Sequence, residues 1–308
     1  MHGKEKLIKS IKNIDNYNKY DKIQIEKVLG IILCKKQRKD NLFMNKIIVA
    51  IGGGENGRVL SNGKKTIYDT KIIDEEIVAL TNKKNPNFLF IAHAMSFSLD
   101  IEENYYKTME KIYKGILNCN CKILKSTDLE NKEKVINLIS WADIIYEGGG
   151  DTKLMISLWR KTGFDKILYD AWNSGKVICG ISAGAVCYFN SCNSDYYDEN
   201  NKLSFQSLSC LNWINIYMTP HYDKVGRKSS SKKHLKENGL VGIMLSNCSA
   251  LVVVNDNYKI INADCKHRKI GKGYAYKCFY KNDKYYKIKI DNNNYLPLSN
   301  LLSYDIIN

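Results

Sequence analysis

Proline is scarce, with three in 308 residues. So little proline excludes a polyproline spacer or a collagen-like array. Long hydrophobic runs are also lacking. None approaches the roughly 20 residues that span a bilayer, so no membrane association is expected. The ten cysteines include no CxxC pair, and Cys119-Asn-Cys121 is a lone CxC. That spacing is too little for a structural zinc site. Arginine is rare as well. Of 47 basic residues, only Arg38, Arg58, Arg160, Arg227 and Arg268 are arginines. The net charge of +15 therefore rests on lysines scattered among Asn, Ile and Tyr. A nucleic-acid stripe would interleave arginine with aromatics on one face. Nucleic acid is not the expected main partner. The lysine-rich N-terminus carries no apolar core of a secretory signal. Several cysteines (Cys34, Cys179, Cys187, Cys248) lie in apolar or mixed runs. Reduced, mostly buried thiols in a cytoplasmic protein are the expectation.

What is present suits a globular α/β protein. Hydrophobic residues make up 44% of the chain, enough for a sizeable core. Residues 1–43 read as an appended lysine-rich segment, helical or poorly ordered. From 44 to 308 a single domain is expected. It opens with "MNKIIVAIGGGENGR", a buried parallel strand running into glycines. Strands follow at "NFLFIAHA", "CKILKS", "DIIYEGGG" and "KVICGI", with helical patterns between them. The long helical stretch 152–175 is expected to break near Gly163. This alternation predicts a mostly parallel sheet with helices on both faces. After residue 200 the strands "NWINIYMT", "GIMLS", "ALVVVND", "YKIINAD", "GYAYKCFYKN" and "KYYKIKI" follow, the last few spaced like antiparallel hairpins.

Three glycine turns follow strands. Gly52-Gly53-Gly54-Glu55-Asn56-Gly57 formally matches GxGxxG. The acidic residue expected about 20 positions later falls at Asp74, where a helix begins rather than a second strand ends. A turn that lets backbone pass under a site is the better reading than a nucleotide cradle. At Gly148-Gly149-Gly150-Asp151-Thr152 a strand ends and a helix begins, with Asp151 or Thr152 as N-cap. The exposed N–H groups of such a turn suit an anion or a developing oxyanion; the plainer reading is a capped tight turn. The third turn is Gly180-Ile181-Ser182-Ala183-Gly184. GxSxG occurs by chance, and Ser182 is either turn chemistry or a nucleophile. A strand before it, a helix after it and small neighbours favour the nucleophile, with the Ala183 N–H aiding an oxyanion.

A serine nucleophile needs a base, and there are five histidines. His2 lies in the appended segment. His93 ends a strand and reads as a satisfied core or edge residue. His234 and His267 lie in lysine-rich, surface-like runs. His221, in "MTPHYDK" after an apolar strand and Pro220, is the best base.

"MNKIIVAIGGGENGR", "IDEEIVALTNKKNPNFLFIAHA", "ADIIYEGGGDTKLMISLWRKTG", "GISAGAVCYFNSCNSD" and "TPHYD" occur in that order. Together they resemble the dipeptidase E (aspartyl dipeptidase) family of serine peptidases, over about residues 44–290. The resemblance implies a three-layer α/β/α fold related to class I glutamine amidotransferases, which carry cysteine where this chain has Ser182. It implies an intracellular peptidase with a Ser182–His221 pair, whose mechanism needs no metal or cofactor. Gly149, Gly150 and Ala183 would supply the oxyanion N–H groups. Members of the family usually place Asp or Glu just before the strand that reads here "LSNCSALVVV". This chain has Ser246 and Asn247 there, as candidate orienters of His221 without a carboxylate. Asp223 is too near His221 in sequence to be assumed. An enzyme-derived binding or regulatory protein with weak or no turnover, for want of the usual triad acid, is the alternative. Short peptides, aspartyl dipeptides among them, are the implied substrates of a monomer or homodimer. Arg227 is a candidate clamp for a substrate carboxylate, with a solvated arginine the plainer reading. Asp151 and His93 are further candidates for the pocket.

Overall fold

The computed structural model describes residues 45–60, 62–197, 199–200 and 202–306. The expectation for residues 1–43 lies outside the described residues. β1 (Ile47–Ile51) is wholly buried, as an unbroken apolar run in a parallel sheet should be. The chain then alternates through α1 (Lys71–Ala79), β2 (Asn87–Ile91), α2 (Leu99–Tyr113) and β3 (Asn120–Leu124). It continues through α3 (Lys132–Trp141), β4 (Ile144–Glu147), α4 (Thr152–Thr162), α5 (Phe164–Asn173) and β5 (Val177–Ile181). Gly163 adopts a left-handed conformation (φ 73°) between α4 and α5, where the sequence predicts the break.

The two-residue period of the strands decides which layer each side chain joins. Ile47, Val49 and Ile51 pack with Ile73 and Ile77 of α1 and with Met109, Ile112 and Tyr113 of α2. Ile48 and Ala50 pack on the opposite face with Val135 and Ile139 of α3, Met155 and Trp159 of α4 and Leu168 of α5. Helices therefore cover both sides of a largely parallel sheet. Strands β1, β5, β4, β2 and β3 are neighbours in that order, all parallel.

Beyond β5 the chain makes a short helix, α6 (Ala183–Val186), and enters a second sheet. That sheet draws on β6 (Phe189–Tyr197), β7 (Leu203–Ser209) and β8 (Ile214–Thr219). After α7 (Arg227–Asn238) comes β9 (Gly242–Leu245), also in the second sheet. The chain then returns to the first sheet with β10 (Ser249–Val254) and β11 (Asn257–Asn262), which extend it antiparallel beyond β1. A small hairpin, β12 (Asp264–Cys265) with β13 (Gly271–Lys272), follows. The expected C-terminal hairpin is β14 (Ala275–Lys281) with β15 (Lys284–Ile290), and it joins the second sheet beside β9. A two-residue strand, β16 (Leu296–Pro297), edges the first sheet, and α8 (Ser299–Leu302) ends the described fold.

The second sheet goes beyond the hairpin region expected from sequence. β6 carries Asn, Ser and Tyr at most positions, and β7 alternates apolar and polar only from Leu203 to Gln206, too briefly to mark a strand. α7 is equally hidden, because "RKSSSKKHLKEN" has no apolar stripe. Its buried residues are Arg227, Ser231, His234 and Leu235; the last two lie against the second sheet's Tyr217, Met244 and Cys278. Among the described residues no helix is long and apolar enough to cross a membrane.

Candidate functional site

Three strand ends meet at one edge of the first sheet. β1 ends in Gly52–Gly54, β4 in Gly148–Gly150 and β5 in Ser182. The carboxyl ends of parallel strands are where open α/β sheets build their sites. Ser182 sits on a sharp turn with φ 56° and ψ −111°. Its N–H donates to the Ile51 carbonyl at 3.0 Å. Gly180 and Gly184 let this turn lie flat on β4, since a Cβ on either would strike the Glu147 backbone. Beneath the turn Glu147 is fully buried, and burial pushes its carboxyl well above the ordinary range. Tyr188 hydrogen-bonds both Glu147 and the Cys179 carbonyl.

His221 follows β8 and crosses to this edge from the second sheet. Its N–H donates to the Gly52 carbonyl at 2.8 Å. Its Nε2 lies 2.9 Å from Ser182 Oγ. Its Nδ1 lies 2.9 Å from Asn247 Oδ1. Gly53 passes directly under this ring (φ 150°), and a Cβ there would collide with His221 Nδ1 and Asn247 Oδ1. The first glycine turn thus lets backbone run beneath the site.

Asn247 lies in the short link between β9 and β10, where the chain passes from one sheet to the other. Its Nδ2 donates to Asp223 Oδ2 at 2.7 Å, and its backbone N–H donates to Asp223 Oδ1 at 2.8 Å. These contacts settle three orientations in turn. A carboxylate only accepts, so the amide must present nitrogen to Asp223 and oxygen to His221. An amide oxygen only accepts, so His221 carries its proton on Nδ1. Nε2 is then free to accept from Ser182. Burial lowers the His221 pKa, partly opposed by the hydrogen bond to Asn247. Burial raises Asp223, but the hydrogen bonds from Asn247 outweigh it and hold the carboxyl below its usual range.

Of the other expected residues, Ser246 does not reach His221. Its hydroxyl donates to the Asn247 carbonyl and accepts from Tyr274 N–H. The Gly149 N–H points at Tyr105 Oη, 3.3 Å away. The N–H groups of Gly150 and Ala183 have no hydrogen-bond acceptor among the described residues. Gly150 has φ 150°, and a Cβ would strike the Ala94 carbonyl, so this turn demands glycine.

Three expectations need correction. Arg227 is neither a clamp in the cleft nor a solvated arginine. Its side chain is 3% exposed, bonded to Asn193 and Asp195 and laid over the Phe205 ring. Asp151 does not line the cleft; its carboxylate caps α4, accepting from Leu154 N–H at 2.9 Å. His93 does not line the cleft as a pocket candidate; it is the satisfied core residue its strand-end position suggests, accepting from Trp159 Nε1 and bonded through Nε2 to the Leu124 carbonyl. Burial lowers its pKa to about 4. Two histidines read as surface-like are placed otherwise. His234 is buried against Tyr217, and His267 lines the cleft.

The cleft over Ser182 has a volume of about 580 Å³. Val59, Met95, Ile101 and Tyr105 give it an apolar wall, and its cations are Arg58 and Arg268. Arg58 is paired with Glu55 at 3.0 Å, while Arg268 lies 3.9 Å from Asp223. Neither arginine has a sequence neighbourhood that marks it.

Comparison with known proteins agrees with this picture. The chain is 28% identical over 215 residues to the uncharacterized peptidase YgaJ of Bacillus subtilis, covering 68% of this chain and 84% of that protein. It is 31% identical over 99 residues to the uncharacterized peptidase Lmo0363 of Listeria monocytogenes, 31% of this chain and 47% of that one. The crystal structure of a peptidase from an acI-B1 actinobacterium superposes with a TM-score of 0.61 at 19% identity, over 82% of this chain and 97% of that chain, which shows a shared fold. Residues 57–261 match Peptidase family S51. That span is more than half of the chain and holds Gly148–Gly150, Ser182, His221 and Asn247, and by it the chain belongs to peptidase family S51.

Proposed function

We propose that this protein is an intracellular serine peptidase that cleaves short peptides through an acyl-enzyme on Ser182. The observation that carries the reading is the 2.9 Å contact between His221 Nε2 and Ser182 Oγ on a strained strand-to-helix turn. In this mechanism Ser182 Oγ attacks the peptide carbonyl and its proton passes to His221 Nε2. The tetrahedral oxygen meets the N–H groups of Gly150 and Ala183, and that of Gly149 when Tyr105 yields it. His221 returns the proton to the leaving amine, and water then releases the acyl group. Asn247 and Asp223 act in series behind the histidine. The amide fixes its tautomer, and the carboxylate supplies negative charge one group further away.

The nine described cysteines are all unpaired, which supports a reducing compartment. A substrate carboxylate would meet Arg58 or Arg268 at the cleft, and aspartyl dipeptides fit that chemistry. The second reading, a binding protein with weak turnover, is motivated by the amide in place of an acid at His221 Nδ1.

A fluorophosphonate probe separates the two. Labelling at Ser182 in the native protein, lost in Ser182→Ala, together with hydrolysis of Asp-Leu in preference to Asn-Leu, is the expected result. Absence of labelling and of hydrolysis across a dipeptide library would sink the peptidase reading and leave the binding one.

A further inference from the structure

Four side chains from three separate parts of the chain converge beside the cleft. Asp69 precedes α1, Cys248 directly follows Asn247, Cys265 ends β12, and His267 lies in the turn before β13. One ligating atom from each lies within 4.8 Å of every other. Cys248 Sγ is 3.9 Å and Cys265 Sγ 3.7 Å from His267 Nδ1. The two sulfurs are 2.8 Å apart, and His267 Nδ1 contacts Asp69 Oδ2. Asp69, Cys248 and Cys265 are buried and His267 is half-buried.

We propose that Asp69, Cys248, Cys265 and His267 bind one structural zinc ion. Tetrahedral ligands about 2.0–2.3 Å from a zinc centre stand about 3.3–3.8 Å from one another. The two sulfur–nitrogen separations are already close to that. The sulfur pair has to open by about 1 Å, and the His267–Asp69 contact has to lengthen too, both by side-chain rotation. Two thiolates, an imidazole and a carboxylate form a borderline-soft set that suits zinc and disfavours calcium or magnesium. All four positions are filled by protein, which makes the site closed and structural. Binding displaces the two thiol protons to solvent.

Backbone strain points to the same place. Of the non-glycine residues with positive φ among the described residues, six are Asn or Asp, which tolerate that region. Of the other three, His221 belongs to a type that also visits that region, which leaves Ser182 and Cys248. Strain of this kind persists where surrounding bonds over-determine the backbone. A metal bond on Cys248 would do so, and would hold Asn247 at His221. The same ion would fix the loop that brings His267 and Arg268 to the cleft. The Asp69 carboxylate already accepts from the N–H groups of Lys266 and His267 in that loop, at 3.3 and 3.1 Å.

The test uses the full chain, without a histidine tag and carrying Ser182→Ala, so that turnover plays no part. The protein is reduced, stripped with a chelator, exposed to zinc chloride and desalted. Elemental analysis is expected to find about one zinc per chain. Cys265→Ser, His267→Ala and the milder Asp69→Asn should each weaken zinc affinity at least about tenfold, while Cys121→Ser on β3 should not. Cobalt(II) in place of zinc should give a thiolate charge-transfer band that Cys265→Ser removes. A reduced protein that retains no zinc overturns the proposal, as does zinc that survives both Cys265→Ser and His267→Ala. A native Cys248–Cys265 disulfide whose reduced form takes up no zinc overturns it equally.

Discussion

Ser182, Gly149, Gly150 and Ala183 stand at the ends of adjacent parallel strands, β4 and β5. His221, Asn247 and Asp223 stand in links that leave β8 and β9 of the second sheet. The two groups meet across 2.9 Å. On the first side, each candidate atom is backbone or two bonds from it, and glycines place it by steric necessity. On the second, each functional atom is a side chain held by another side chain. Rigid backbone gives the first side its geometry, whereas a chain of hydrogen bonds gives the second side its geometry and its charge. The two sides should therefore fail differently.

The largest effect is expected on the first side. Ser182→Ala should lower kcat by about 10⁴-fold or more. Ser182→Gly should abolish turnover equally and also raise stability by about 1 kcal/mol, because glycine tolerates φ 56°. Steady-state kinetics and a thermal melt on both variants would show it; a melting temperature no higher for Ser182→Gly than for Ser182→Ala would contradict the strain argument.

Gly53→Ala probes the junction between the two sides. The added Cβ displaces His221 or Asn247. A misplacement of about 1 Å should reduce kcat about 100-fold while fluorophosphonate labelling slows in parallel. Unchanged labelling would show that the histidine is not held from below.

The second side should respond through pH. His221 must be neutral to act as base, and burial lowers its pKa below the ordinary value near 6.5. Activity should persist below that pH and fall only as pH drops through the lowered pKa. Asp223 raises the His221 pKa. Asp223→Asn should move the acid limb of kcat/KM to still lower pH and reduce kcat about tenfold. An acid limb that does not move would remove Asp223 from the relay.

The last effect falls on stability and leaves activity unchanged: it concerns His93, which never reaches the cleft. Its pKa of about 4 lies below the unfolded value, so the unfolded chain binds the proton first as pH falls. Stability should be full above about pH 6.5 and decline toward pH 4, by at most about 3 kcal/mol. His93→Gln can accept from Trp159 and donate to Leu124, so it should flatten that decline in melts taken across the range.

Much of the first side was legible in the sequence. Apolar strands ending in glycine, with helices between them, can hardly fold otherwise, and the break at Gly163 fell where it was expected. The polar β6 and β7 and the stripe-free α7 were not legible, because their burial comes from neighbours rather than from their own pattern. His221 was legible from Pro220 and the strand before it. Asp223 is too near His221 in sequence to be assumed as its partner. The structure answers that objection by inserting Asn247 between them. His267 looked like surface among lysines until Asp69, almost 200 residues earlier, was brought against it.

By itself, then, the sequence determined the layered sheet and the serine turn and set His221 at a strand end, since strand period and glycine sterics act over a few residues. Tertiary structure alone decided what stands behind His221, which arginines face the cleft and where Asp69, Cys248, Cys265 and His267 meet. Those contacts join distant parts of the chain through two sheets, and no local pattern encodes a distance between loops.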